Sequence, residues 1–105
     1  MLSEERISRM KPGSFLVNVS RGGLVDEDAL CAALSSGHLA GAGIDTVARE
    51  PMPPNHCLLQ FDDVFLSPHA AHYSSSSYVE VRSKAFADVA RVLRGEEPIY
   101  QVNRV

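Results

Sequence analysis

The chain has 105 residues, of which 45% are hydrophobic and 22% are charged, a composition typical of a globular protein rather than a disordered segment. This length suits one modest domain or part of a larger one. The formal net charge is −3 and no block of lysine or arginine stands out, which argues against nucleic acid and anionic membranes as direct partners.

The first predicted elements are a short helix and a buried strand. Acids precede basic residues over 3–10, as in a helix, and Lys11-Pro12-Gly13 ends it. A helix this short is unstable alone, so we expect further chain upstream. Residues 15–19 are apolar at nearly every position, which predicts a strand covered on both faces, and residues 20–23 form the following turn.

A second helix and two more strands follow. Asp26 caps the helix, and Gly37 ends it. Small residues over 39–45 predict the second strand, where Gly41 and Gly43 would let a helix pack closely on the sheet. A Pro-rich loop over 46–57 separates it from a third strand over 64–66, which Pro68 ends. The buried stripe of the helix is predicted to be Ala29, Leu30, Ala33 and Leu34.

A long helix completes the pattern. The serine run over 74–77 precedes it, Ser77 and Glu80 match a capping box, and apolar residues recur at three- and four-residue intervals up to Gly95. The tail over 96–105 is predicted to be coil or an edge piece. Strands that alternate with helices indicate an α/β fold, here the second half of a doubly wound parallel sheet with at least one edge uncovered.

The two cysteines, Cys31 and Cys57, have neither CxxC nor CxxH spacing. Cys31 lies in an apolar helical stripe and is predicted to be a small core residue, so no disulfide framework is expected. The absence of disulfides would suit a reducing compartment. No apolar run reaches the roughly 18 residues of a membrane span, and the charged start lacks a signal-peptide pattern, so we expect a cytoplasmic protein.

Four polar side chains stand at or after the ends of predicted strands. Arg21 follows the first strand, Asp45 ends the second, Glu50 lies in the loop after it, and His69 follows the third. Ligands of open parallel sheets bind outside the carboxyl ends of the strands. We therefore expect these four residues to meet at one site.

Each of these residues has a functional and a plainer interpretation. Arg21, beside a Gly-Gly turn, could form two hydrogen bonds to a carboxylate or simply be solvated. Glu50 could orient His69 by accepting an imidazole N–H, and such a histidine can exchange a proton with a hydroxyl group. Alternatively, Glu50 belongs to a surface loop and His69 is structural. Asp45 could bind a ligand amide or cap a turn.

Metal and phosphate sites are not predicted. His38, His56 and His72 lack metal-ligand spacing, although His72 is expected to line the same loop as His69. The pair Gly41-x-Gly43 is not a dinucleotide fingerprint, because Thr46 stands at the third glycine position and the pair lies inside a strand.

Three stretches, MKPGSFLVNVSRGGLVDEDAL, LAGAGIDTVAREP and LSPHAAHYS, occur in this order over nearly the whole chain. Together they resemble the D-isomer-specific 2-hydroxyacid dehydrogenase family. The residues after Pro68 are most similar to the C-terminal-binding-protein branch, whose members also act as NAD-sensing corepressors. The resemblance implies a Rossmann-like domain with about three strands and flanking helices, and NAD as cofactor, with NADP still open.

The resemblance also implies roles. Arg21 would hold the carboxylate and carbonyl of a 2-oxo or 2-hydroxy acid, His69 would be the acid/base, and Glu50 would orient His69. Asp45 would accept a hydrogen bond from the nicotinamide carboxamide. The implied cofactor contacts are Val19, Ser20, Arg21, Asp45, His69, Ala70, Ala71 and His72.

Departures from the family pattern limit these expectations. His72 stands where that branch usually has Trp, and Thr46-Val47 replaces the commoner Val-Phe. The glycine-rich loop, the ribose-binding acid and the substrate domain of the family have no counterpart in this sequence. Residues 1–105 are therefore expected to form the C-terminal half of an NAD-binding domain that turns over little by itself.

The function implied is hydride transfer between nicotinamide and the C2 of a small D-2-hydroxy or 2-oxo acid. Two alternatives stay open: a non-catalytic NAD-sensing or corepressor-like module, which would allow a nuclear location, and an unrelated small α/β binding domain. A homodimer is expected for the full-length protein, and neither nucleic acid nor membrane is expected as a direct partner.

Overall fold

A computed structural model describes residues 1–103 of the chain, which divide into two compact units, residues 1–71 and the residues from 72 onward. The first unit contains a three-stranded parallel sheet in the order β1-β2-β3. Its elements are α1 (Glu4–Ser8), β1 (Ser14–Asn18), a 3-10 turn (Gly22–Leu24), α2 (Glu27–Ser35), β2 (Leu39–Ile44), a 3-10 helix (Cys57–Gln60) and β3 (Val64–Leu66). The predicted α/β fold with three parallel strands is confirmed.

The register of the sheet aligns the carboxyl ends of its strands. Asn18 of β1 pairs with Ile44 of β2, and Ile44 pairs with Leu66 of β3. The chain leaves all three strands at this edge, where the Asp45 N–H donates to the Asn18 carbonyl at 2.9 Å and the Ser67 N–H donates to the Ile44 carbonyl at 3.0 Å. The loops that follow the strands therefore meet at one edge.

One face of the sheet forms the core of the first unit. Helix α2 packs on β2, and α1 packs on α2. Asp26 caps α2 by accepting the Ala29 N–H at 3.1 Å, and Gly37 ends the helix region at a φ of +71°. The predicted bounds of α2 are thus confirmed, and of its predicted stripe Leu30 and Ala33 are buried while Ala29 and Leu34 are partly buried against the same core. The buried apolar side chains are Ile7, Leu16, Val25, Leu30, Cys31, Ala33, Leu39, Ala42, Ile44 and Leu58.

The opposite face of the sheet is exposed, contrary to the prediction of a strand covered on both sides. Phe15 and Val17 of β1 are 67% and 70% exposed, and Phe65 of β3 is 75% exposed. Successive side chains of a strand point to opposite faces, and α1 and α2 cover only one of them. The apolar run over 15–19 predicted the strand correctly but not which faces are covered.

Position 41 requires glycine for a different reason from the predicted one. A Cβ on Gly41 would lie 2.5 Å from the Asp63 carbonyl oxygen and 3.0 Å from the Phe15 ring. The close approach therefore serves the loop before β3 and a cross-strand ring, not a helix packed on the sheet.

Cys31 lies in the core as predicted, but it forms a disulfide bond with Cys57, so the expectation that the chain has no disulfide is wrong. The two residues are 26 positions apart in sequence, and their Cα atoms lie 6.2 Å apart. They meet because α2 packs against the 3-10 helix Cys57–Gln60. The spacing of the two cysteines in the sequence does not predict that contact.

The second unit contains one long helix, α3 (Ser75–Leu93), none of whose residues is buried. Ser74 caps it and forms the capping box with Ser77, one turn earlier than the predicted Ser77–Glu80 pair. Glu80 instead forms an i,i+4 ion pair with Lys84. The predicted tail is irregular over 96–103, and residues 104–105 lie outside the described residues.

No helix within residues 1–103 combines the length and the hydrophobicity needed to cross a bilayer.

Candidate active site

Asn18 builds the turn at the end of β1. Its side-chain amide donates to the Arg21 carbonyl at 3.0 Å, and its Oδ1 accepts the Ser20 N–H at 3.1 Å. The side chain is buried, and both of its polar atoms are paired with backbone. No role for Asn18 was predicted from the sequence. A polar residue at the inward position of an otherwise apolar strand was the available signal.

Arg21 extends from this turn as an exposed side chain. Its Nη1 donates to the Ser20 carbonyl at 2.7 Å, and its positive charge contributes to the lowered pKa of Glu50. Arg21 and Glu50 thus both lie in loops that leave the carboxyl ends of strands, Arg21 after β1 and Glu50 after β2. Val19 and Ser20, which precede Arg21, are exposed at this edge as well.

Gly22 packs directly against the loop that follows β2. A Cβ at Gly22 would lie 2.0 Å from the Val47 carbonyl carbon and 2.2 Å from the Ala48 nitrogen. Any side chain here would collide with backbone, so this position requires glycine. Gly23 has open space around its Cα. The first glycine of the pair thus sets how closely the β1 turn and the β2 loop approach each other.

Asp45 holds the turn that follows β3. Its Oδ1 accepts the Ser67 hydroxyl at 2.5 Å and the Ala70 N–H at 2.8 Å, and its Oδ2 accepts the Ala71 N–H at 3.0 Å. Its backbone carbonyl accepts the His69 N–H at 2.9 Å. The Ser67 hydrogen bond is the main cause of the lowered pKa of Asp45, and the two backbone N–H groups add to it.

Two interpretations of Asp45 were left open, a ligand for an amide and a cap of a turn, and in the structure its carboxylate caps a turn. That turn lies more than twenty residues downstream rather than next to the strand. Ala70 and Ala71 were predicted as cofactor-contact residues, and their N–H groups donate to Asp45. Ser67 also belongs to this cluster, although no role was predicted for it from the sequence.

Glu50 and His69 form the predicted pair. The Glu50 Oε2 lies 2.8 Å from the His69 Nδ1, and the Glu50 Oε1 accepts the Val47 N–H at 3.2 Å. A carboxylate only accepts, so Nδ1 carries the proton in this pair and Nε2 is the ring nitrogen turned away from Glu50. The hydrogen bond from His69 is the main cause of the lowered pKa of Glu50, which keeps this carboxylate ionised.

The backbone at His69 has a φ of +53°, in the left-handed region that non-glycine residues seldom occupy. The four hydrogen bonds from the 67–71 turn to Asp45 stabilise this conformation. A cleft of about 510 Å³ opens beside the pair, a size suited to a small ligand. Its walls are formed by Ile44, Asp45, Val47, Glu50, Pro51, Met52, Leu66, Ser67, Pro68 and His69.

The structure thus brings Arg21, Asp45, Glu50 and His69 to one sheet edge within the first unit. His72 begins the second unit, and its predicted contact with the cofactor stays a prediction. His56 is engaged elsewhere, 3.1 Å from Glu27. Within residues 1–103, no group of three His, Cys, Asp or Glu side chains could hold a metal ion.

Comparison with known proteins adds independent findings. The family model described as "D-isomer specific 2-hydroxyacid dehydrogenase, NAD binding domain" matches residues 1–71. The glyoxylate reductase of Thermofilum pendens is 40% identical over 104 residues, which is 99% of this chain and 31% of the relative. The D-3-phosphoglycerate dehydrogenase of Escherichia coli K12 is 52% identical over 73 residues, which is 66% of this chain and 18% of the relative.

A solved structure is similar as well. It is a D-isomer specific 2-hydroxyacid dehydrogenase from Xanthobacter autotrophicus Py2 in complex with NADPH and MES. It has a TM-score of 0.85 and 34% sequence identity, and the match covers 97% of this chain and 41% of that one. Nearly the whole of this chain matches the curated relatives, but it spans only about a third of their length.

Proposed function

The chain belongs to the D-isomer specific 2-hydroxyacid dehydrogenase family, and on that premise we propose that it supplies the acid/base half of a 2-hydroxyacid dehydrogenase site. Residues 1–105 would form the C-terminal half of an NAD-binding domain. The reaction would transfer a hydride between a nicotinamide cofactor and the C2 of a small 2-oxo or 2-hydroxy acid.

The observation that carries this proposal is the 2.8 Å hydrogen bond between Glu50 and His69 at the carboxyl edge of the sheet. When bound, the reduced nicotinamide supplies the hydride to C2 of the oxo acid. The carbonyl oxygen then needs one proton, and His69 would donate it from Nε2, because Nδ1 faces Glu50. The ionised Glu50 stabilises the protonated ring before the transfer and holds its orientation throughout.

Arg21 would bind the substrate carboxylate. Arg21 is exposed in the turn after β1, and guanidinium groups recognise carboxylates through paired hydrogen bonds. A negatively charged substrate held there would also balance the positive charge that His69 carries before it donates its proton.

The residues present fit the nicotinamide end of the cofactor. The cleft beside Asp45 and His69 has mainly apolar walls with a carboxylate at one side, which suits a flat ring with a carboxamide. Asp45, Val19, Ser20 and residues 69–71 would make these contacts. The proposal covers NAD and NADP alike. The two cofactors differ by a phosphate on the 2′-oxygen of the adenosine ribose, and none of these residues is assigned to that ribose.

The substrate would be a small 2-oxo acid, while dimer formation and a cytoplasmic location stay predictions. The Cys31–Cys57 bond is of a kind that is rare in the reducing cytosol. Fractionation of the source cells, with alkylation of free thiols before lysis, tests the location and the state of these cysteines together.

A chimera tests the proposed activity. This chain would replace the matching 104-residue segment of the Thermofilum pendens glyoxylate reductase, and NADH oxidation with glyoxylate would be followed. His69→Gln should lower kcat at least about 100-fold because the proton donor is lost. Arg21→Ala should raise KM for glyoxylate and lower kcat, with NADH affinity retained. Arg9→Ala, an exposed arginine of the α1 region, is the matched control.

An active chimera that keeps its rate with Gln at position 69 would contradict the assignment of His69. A folded chimera that binds NADH but reduces no oxo acid would favour the alternative of a non-catalytic binding module. The 105-residue chain alone is expected to show little turnover. Its sequence contains no glycine-rich phosphate loop, so NADH oxidation well above the buffer rate would contradict that expectation.

A further inference from the structure

Glu27 contacts both ends of the irregular segment that carries Glu50. Its Oε1 accepts the Ala48 N–H at 2.7 Å, near the start of the segment. Its Oε2 lies 3.1 Å from the His56 Nε2, at the other end. The side chains of His56 and Glu27 are only 12% and 16% exposed. One carboxylate in the first turn of α2 therefore fastens the segment from Ala48 to His56 at two points.

The protonation of His56 follows from its second contact. Its Nδ1 accepts the Leu58 N–H at 3.3 Å, so the ring proton lies on Nε2 and is donated to Glu27. This makes His56 the cap of the 3-10 helix Cys57–Gln60 as well as a partner of Glu27. Hydrogen bonds to an ionised acceptor are about twice as strong as neutral ones, and a carboxylate in the first turn of a helix is favoured by the helix dipole.

The fastened segment leads directly to the proposed acid/base pair. Ala48 lies two residues before Glu50, and the Val47 N–H donates to the Glu50 carboxylate at 3.2 Å. Glu50 in turn contacts His69 at 2.8 Å. The segment between Ala48 and His56 contains no helix or strand of its own. Its position therefore depends on contacts such as those that Glu27 supplies.

We propose that Glu27 is a positioning residue: by holding the backbone at Ala48 and the side chain of His56, it fixes Glu50 against His69. This inference rests on the proposed function for its catalytic consequence, but the positioning itself is a property of the 105-residue chain. Glu27 acts on the pair through the segment that carries Glu50.

The first test is spectroscopic and uses the whole 105-residue chain. The ¹⁵N shifts of the His69 ring report which nitrogen carries the proton, and the carboxyl ¹³C shift of Glu50 reports its titration. With Glu27→Ala we expect the Nδ1–H form of His69 to lose population and the pKa of Glu50 to rise toward its ordinary range. Asp28→Asn, an exposed acid in the same helical turn, is the matched control and should change neither signal.

Two further variants separate positioning from mere stabilisation. Glu27→Gln keeps an acceptor for the Ala48 N–H, and it should retain most of the His69 signal even if its partnership with His56 is lost. Glu27→Ala will also lower the urea midpoint. A lowered midpoint with unchanged His69 and Glu50 signals in the folded state would overturn the proposal and leave Glu27 a structural residue only.

The chimeric reductase supplies the second test. Displacement of a catalytic group by about 1 Å can cost on the order of 100-fold in rate, so Glu27→Ala should lower kcat by about 10- to 100-fold with KM for NADH unchanged. If His69→Gln leaves the chimera active, the proposed function fails, yet the spectroscopic test still decides this inference. If His69→Gln abolishes activity and Glu27→Ala leaves kcat intact, this inference fails and the proposed function stands.

Discussion

Replacement of Gly22 by alanine should destabilise the chain, whereas the same replacement at the neighbouring Gly23 should not. A Cβ added at Gly22 would lie 2.0 Å from the Val47 carbonyl carbon, 2.3 Å from the Val47 carbonyl oxygen and 2.2 Å from the Ala48 nitrogen. Ordinary van der Waals contact begins near 3.4 Å. Because the obstructing atoms are backbone, no rotamer change can relieve the overlap, and the β2 loop must shift by roughly an ångström or more.

The expected cost is about 3 kcal/mol, at the upper end of the usual range for overpacking, since the loop must move as a whole. With a urea m-value of about 1.5 kcal/mol/M, this corresponds to a midpoint lowered by about 2 M. The moved loop carries Glu50, so the 2.8 Å contact with His69 should lengthen as well. Loss of the Nδ1–H signal of His69 should therefore accompany the loss of stability.

Gly23→Ala is the matched control, because a Cβ at Gly23 meets no heavy atom within 4 Å. This variant should stay within about 0.5 kcal/mol of the parent chain. Urea unfolding followed by circular dichroism measures both variants under identical conditions. Equal midpoints for the two alanine variants would refute the steric argument and with it the close approach of the two turns.

Three further predictions concern stability. Thr46→Val should raise the free energy of unfolding by about 1 kcal/mol, measured by urea titration, because the Thr46 hydroxyl is buried without a hydrogen-bond partner; Thr46→Ser keeps that hydroxyl and should not stabilise. Asp45 and Glu50 have lowered pKa values in the folded chain, so the stability they contribute is complete above their ordinary values of 3.8 and 4.5 and is lost as the pH falls through the folded values. The urea midpoint should therefore decrease as the pH is lowered below about 4.5, and this decrease should be less steep for Asp45→Asn. The same dependence of the midpoint on pH in both chains would contradict the role of Asp45. Reduction of the Cys31–Cys57 bond should lower the unfolding free energy by about 3 kcal/mol for a loop of this length, with Cys31→Ala/Cys57→Ala as the reagent-free comparison.

Local signals in the sequence were sufficient for the elements of the first unit. Asp26 and Gly37 marked the two ends of α2, and Pro68 marked the end of β3, because caps and breakers act within a few residues of the helix or strand that they bound. The convergence of Arg21, Glu50 and His69 was also predictable, since parallel strands bring their carboxyl ends to one edge whatever their contacts.

Tertiary structure alone decided what these elements touch. The disulfide between Cys31 and Cys57, the Glu27–His56 contact and the turn held by Asp45 each join residues more than twenty positions apart, and no local pattern encodes such pairs. The exposure of one sheet face was likewise not predictable from local patterns. Alternation along a strand shows that it has two faces, whereas the helices that pack on the sheet determine which of them is buried. Local sequence patterns are therefore enough to predict the helices, the strands and the sheet edge where the chemistry would lie, whereas the packing of α2 and the β2 loop sets how the residues at that edge are held.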